Sequence, residues 1–200
     1  MRRTGTALMA LGLCLILSSM GLLFGNRTQA SQADEAAQTL LPELLVQVET
    51  VQAPREQTVP AAPVDTAMTE KEVGGFPCIG YLCIPALELE LPVMSGWDYE
   101  RLKVAPCRYT GSTKSDDLVL LAHNYPRHFG GLKDLMPGDT VLFTDMEGVT
   151  FCYAVAQTEI LGSGDTEAMT SGEYDLTLFT CTYGGQSRVT VRCQVMAEAG

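Results

Sequence analysis

An uncharged, strongly apolar run of 18 residues, Ala7 to Phe24, sets the first limit on this chain. In hydrocarbon every backbone amide must bond within its own segment, so a run of this kind is read as a helix. At about 1.5 Å per residue it reaches about 27 Å, close to the thickness of a bilayer core. Arg2 and Arg3 precede it and Arg27 follows it. The positive-inside bias predicts a cytoplasmic N-terminus with everything after the run outside. A cleaved signal peptide is the competing reading. Thr28-Gln-Ala30 is a poor cleavage site and the run is long for a signal core, so residues 1–25 are expected to be an uncleaved, single-pass anchor. Either reading exports the remainder.

Export colours the rest of the composition. The chain carries 24 acidic and 13 basic residues, a net charge of -11, with no basic cluster beyond Arg2-Arg3. A nucleic-acid partner is therefore not expected. Seven cysteines would ordinarily suggest disulfides in an exported protein. Cys14 lies inside the apolar run, and the count leaves no complete pairing if Cys181 stays free. Cys152 and Cys193 fall in strand-like runs and read as small buried hydrophobes. There is no C-x-x-C, so no structural zinc is expected, and no cofactor is implied.

Residues 26–74 read as a stalk. Within Asp34 to Val51, Leu40, Leu41, Leu44, Leu45, Val48 and Val51 recur at helical spacing around Pro42; an amphipathic helix is one reading, and a weakly helical linker is the preferred one. Gln52 to Thr69 carries Pro54, Pro60 and Pro63 and predicts an extended spacer.

Residues 75–200 read as the folded domain. Ile79–Ile84, Leu87–Leu91, Leu118–Ala122, Thr140–Phe143, Val149–Ile160, Asp175–Thr180 and Arg188–Val195 are strand-like. Asp145-Met-Glu-Gly148 is a hairpin signal. Tyr99–Val104 and His128–Leu135 predict short helical pieces. About eight short strands with few helices predict an all-β, closed barrel.

Three residues at strand ends carry the candidate chemistry. Cys181 closes the run Tyr174-Asp-Leu-Thr-Leu-Phe-Thr180 among polar neighbours, where a thiol can serve as a nucleophile rather than a buried apolar group. His123 ends Leu118-Val-Leu-Leu-Ala122. His128, the other histidine, is expected in a surface turn. Arg188 follows Tyr183-Gly-Gly-Gln-Ser187, a tight connection that can bring it back beside Cys181. A guanidinium is always charged and suits an oxyanion. Arg192 lies further from the turn and is the lesser candidate. Asn124 and Asp139 are given no catalytic role, Asp139 being more simply a turn residue.

The ordered set Leu121-Ala-His-Asn124, Phe129-Gly-Gly-Leu132, Gly138-Asp139, Leu176-Thr-Leu-Phe-Thr-Cys181 and Arg188-Val-Thr-Val191 resembles the sortases. These are membrane-anchored cysteine transpeptidases of mainly Gram-positive bacteria, and the resemblance runs from about Gly80 to Val195. It implies an eight-stranded barrel with Cys181 as nucleophile, His123 as proton carrier and Arg188 as oxyanion or substrate ligand. The implied substrates are a C-terminal sorting motif of surface proteins and an amine of a cell-wall precursor or a pilin lysine. Thr-Cys-Thr-Tyr183 is similar to class B, and the short Ala156–Asp175 segment to class D. The absence of an aromatic lid before Phe76 points away from a pilin polymerase. Asp116-Asp117 and Glu167 do not convincingly mark a calcium site. A purely hydrolytic cysteine peptidase and a non-catalytic anchored β-domain are the alternatives.

Overall fold

The computed structural model describes residues 2–50 and 67–196. A long helix, α1 (Arg2–Glu49), precedes nine strands: β1 (Lys71–Val73), β2 (Phe76–Ile84), β3 (Leu89–Met94), β4 (Cys107–Thr110), β5 (Leu118–Leu121), β6 (Thr140–Asp145), β7 (Thr150–Gly162), β8 (Leu176–Cys181) and β9 (Ser187–Val195). Two single-turn helices, α2 (Tyr99–Leu102) and α3 (Thr166–Met169), and a 3-10 segment at Phe129–Asp134 sit in the connections.

Pairing runs β2-β3-β4-β5-β8-β9-β7-β6 and returns to β2. Eight strands thus close into a barrel, as the strand count predicts, and β1 adds a short flap beside the start of β2. Closure depends on Gly80. A bulge in β2 falls between Cys78 and Gly80, and Gly80 then pairs Asp145 of β6. Its φ is +149°, and a Cβ there would lie 2.0 Å from the Thr144 carbonyl oxygen. Only glycine lets the two backbones meet this closely. The interior is filled by alternate residues such as Ile79, Leu82, Leu120, Phe143, Leu178 and Val191, all essentially inaccessible to solvent.

One pairing matters most for the site. β5 and β8 run parallel, Leu118 opposite Leu176 through Leu121 opposite Phe179. Parallel neighbours need a long crossover, here the chain through β6, β7 and α3. Both strands therefore end at the same rim, β5 into His123 and β8 at Cys181.

The segment expected to be a weakly helical linker differs. Residues 34–49 are the last third of the unbroken helix α1. Leu40, Leu44 and Val48 bury against Val73, Cys78, Met94, Leu102 and Met146 in a second apolar cluster outside the barrel interior. Gln47 Nε2 donates to the Glu72 carbonyl at 3.1 Å, Lys71 Nζ donates to the Gln47 carbonyl at 3.2 Å, and Arg127 pairs with Asp34 at 3.3 Å. Tertiary packing wins over the marginal helicity of an isolated segment. Pro42 is tolerated because the carbonyl it leaves free, that of Gln38, belongs to an exposed residue. The extended spacer expected over Gln52–Thr69 lies almost wholly outside the described residues. Cys152, expected to be buried, is exposed, while Cys193 is buried as its strand face predicts.

Candidate active site

Register places the three candidate residues together. Cys181 is the direct cross-strand partner of Arg188 in the antiparallel β8–β9 pair, and such partners share a face. On the other side of β8, His123 and Cys181 each lie two residues beyond the last β5–β8 pair, Leu121 and Phe179. Cys181 is one full pleat beyond Phe179 and projects to the same face, and His123, in the irregular chain just after β5, borders the same cavity. Cys181 thus lies opposite the Arg188 guanidinium of β9 and near the His123 imidazole just past the end of β5, and all three line one cavity of about 230 Å³.

Local hydrogen bonds hold this rim. The buried Thr180 hydroxyl donates to the Ala122 carbonyl at 2.8 Å, tying β8 to β5 directly below the site. After Cys181 the chain reverses through Tyr183-Gly-Gly-Gln186, with Gly184 and Gly185 at φ of +89° and +72°. The turn is closed by Thr182 N–H to the Ser187 carbonyl at 2.9 Å. Arg188 Nη1 donates to the Gly185 and Ser187 carbonyls at 3.0 and 3.1 Å, which steadies the guanidinium against its own hairpin.

The electrostatics favour an uncharged imidazole. Burial lowers the pKa of His123, and the Lys103 ammonium lowers it further. Its backbone is fixed by the Phe129 N–H, which donates to the His123 carbonyl at 3.2 Å. Its ring packs 5.0 Å from that of Tyr125, which in turn lies 5.5 Å from His128.

His128 is not in a surface position, contrary to the sequence expectation. Its residue is fully buried, beside α1 and two rings behind His123. Neither ring nitrogen has a hydrogen-bond partner in good geometry. Burial and the neighbouring His123 push its pKa down to about 4; the Ala33 backbone and the Asp34 carboxylate, both on α1, act electrostatically in the opposite sense and by less.

The cavity walls come from residues that sequence reasoning did not single out. Trp97 stacks on Tyr109 at 6.0 Å, and Tyr109 meets Phe179 edge-on at 5.4 Å. This aromatic line and Thr166 and Met169 of α3 all border the cavity, Met169 packing in one apolar cluster with Phe179 and Tyr109. Arg192, weighed as a minor catalytic candidate, is the clamp behind α3. It is 3% exposed and donates to Glu159 at 2.8 Å, to the Met169 carbonyl and Thr177 hydroxyl at 3.0 and 3.1 Å, and to the Ala168 carbonyl at 2.5 Å. Asp139 accepts from the Met136 N–H at 2.8 Å, a turn role. Among the described residues no group of three or more His, Cys, Asp or Glu side chains could hold a metal ion.

The barrel has known relatives. A family model for the sortase domain matches residues 82–197. Sortase C1 of Streptococcus suis is 28% identical, with 62% of this chain and 75% of that one covered at a TM-score of 0.53. Sortase C1 of Streptococcus agalactiae is 26% identical, covering 60% and 68% at 0.54. A sortase D5 transpeptidase of Clostridium perfringens shares the fold at 14% identity, covering 84% and 99% at 0.57. No curated protein matches the chain. With more than half of its length matched by the family's own model, and a closed eight-stranded barrel beneath that match, the chain belongs to the sortase family.

Proposed function

We propose that this sortase is a cysteine transpeptidase that cuts a C-terminal sorting motif of surface proteins and joins the remainder to an amine. The observation that supports it is the register of Cys181 between His123 and Arg188 at one rim of the barrel. Cys181 Sγ attacks the carbonyl of a Thr–Gly-like bond, and its proton passes to the neutral His123. Arg188 faces the oxygen as it becomes an oxyanion, where an always-charged, multi-donor group is most effective. His123 then gives the proton to the leaving amine, and a thioester remains on Cys181. An incoming amine, from a cell-wall precursor or a pilin lysine, attacks the thioester. His123 takes its proton and returns it to the departing Cys181 sulfur.

The same proposal sets the chain at a membrane. α1 contains the one helix among the described residues long and apolar enough to cross a bilayer. Residues 1–25 would be the cytoplasmic tip and anchor, 26–74 the connection and 75–200 the catalytic barrel on the outer face of a Gram-positive-type cell. The buried contacts of Leu40, Leu44 and Val48 make the first part of that connection a fixed strut.

The test is ligation. Full-length protein in detergent is given sorting-motif peptides and an added amine, and a Cys181-dependent ligated product is expected. Hydrolysed peptide alone, across glycine- and lysine-type amines, would make the protein a peptidase. No reaction, with Cys181 resisting alkylation in the folded state, would make it a non-catalytic domain.

A further inference from the structure

We infer that the groove between α1 and the barrel is the binding site for the amine acceptor. This rests on the transpeptidase reading above and assigns that reaction its second substrate site. The groove encloses about 610 Å³, and its existence follows from the sequence of one helical face. Gln29, Gln32, Ala33 and Ala36 recur at the spacing of a single stripe on α1. The same stripe continues as Leu40, Leu44 and Val48. Where it carries large apolar residues, the helix seals onto the barrel. Around Gln29, Gln32 and Ala36 the stripe is exposed or half-buried and borders a gap, while Ala33 and Ala37 between them stay buried against the barrel.

That gap leads to the reacting atoms. Its barrel side is lined by Tyr99, Lys103, His123 and Tyr125. His123 and Tyr99 also line the cavity that holds Cys181. The two spaces therefore share one imidazole. Once the acyl group sits on Cys181 it fills the first cavity, and an amine arriving from the second meets His123 on its way to the thioester carbonyl. The C–N bond forms as His123 takes the amine proton. The C–S bond breaks, and the sulfur recovers that proton from His123.

The lining also indicates the class of acceptor. The nucleophile must be an uncharged amine, and the Lys103 ammonium disfavours its protonated form. Gln29 and Gln32 offer side-chain amides, and Tyr99 and Tyr125 offer hydroxyls, which suit the peptide groups around such an amine. The occupant is thus a short peptidyl primary amine.

The test fills the groove in the full-length protein. Ala36→Trp and Gln32→Trp place an indole in it, the second at an exposed position that folding tolerates. Val46→Trp, at a residue 60% exposed and not lining the groove, is the control. The readouts are the rate of acyl-adduct formation on Cys181 and the partition between ligated and hydrolysed peptide as triglycine is titrated. We expect both groove variants to acylate within about twofold of the parent, with the triglycine KM raised tenfold or more and hydrolysis increased to match. Val46→Trp should change neither. Acylation and ligation falling by the same factor in both groove variants, or an unchanged triglycine KM in both, would overturn the groove assignment alone. A parent protein that forms no acyl adduct would overturn the transpeptidase reading itself.

Discussion

Cys181 and Arg188 are seven residues apart in sequence and directly opposed across β8 and β9. The Gly184-Gly185 turn between them makes that opposition a property of the hairpin. A side chain at position 188 therefore lies on the same face of the sheet as the Cys181 thiol.

Arg188→Lys should be severely impaired in peptide cleavage although charge is kept. A planar donor set is lost, and removing an oxyanion donor typically costs about 10²–10³ in rate. Steady-state cleavage checks this, with thermal melting to show that the fold is intact. Near-normal turnover would leave Arg188 a positional role only.

The α1 contacts predict where the protein can be cut. Removing residues 1–28 should leave a stable domain, because the buried part of α1 starts at Ala33. Removing residues 1–72 should uncover the cluster around Val73, Cys78 and Met94 and lower stability markedly. Leu44→Ala, at a fully buried position, should cost about 2–5 kcal/mol. Denaturant titration of the two truncations and of this variant decides the matter. Equal stability of the two truncations would make residues 29–72 a free linker after all.

His128 gives the fold a pH dependence. Its folded pKa of about 4 lies below the ordinary histidine value of 6.5. A group depressed in this way contributes stability above pH 6.5 that is lost as pH falls toward 4, because the unfolded chain takes the proton first. The span corresponds to about 3 kcal/mol. The melting temperature should fall across that window, and His128→Phe, close in shape and without the titrating ring, should flatten the slope. An unchanged slope in His128→Phe would assign the acid sensitivity to other groups.

Much of this was legible in the sequence, and the limits are physical. The continuous apolar run Leu118–Ala122 announced a strand buried on both faces, and the apolar alternation in Tyr174–Thr180 announced its partner. The Tyr183–Ser187 turn announced the return of Arg188. The short strands Lys71–Val73 and Cys107–Thr110 were not legible, since each is too short to show a period. The helical stripe of α1 could be read, but its partner surface is assembled from β1, β2, β3 and α2 and has no local signature. His128 sits in Tyr125-Pro-Arg-His-Phe129, and nothing in that string shows that α1 packs beside it. Trp97 and Tyr109 were silent for the same reason: their stacking joins residues on either side of α2. Arg192 gave no sign of burial, which its four acceptors make tolerable.

Cys193→Ala separates the two cysteines near the end of the chain. Cys193 is fully buried on β9, and burial pushes its thiol pKa up to about 12. It should therefore be inert, and its replacement should cost stability, by roughly 1 kcal/mol or more, and leave substantial activity. Labelling by a thiol-directed peptide inhibitor should persist in Cys193→Ala and vanish in Cys181→Ala. Labelling that follows Cys193 instead would displace the nucleophile.

The most direct measurement is the mass of the intact protein after exposure to a sorting-motif peptide without an amine acceptor. The account predicts an acyl adduct confined to Cys181, formed slowly or not at all in His123→Ala, and discharged as ligated product when an amine is added. A protein that consumes peptide with no adduct at Cys181, or with the adduct on another residue, would contradict it.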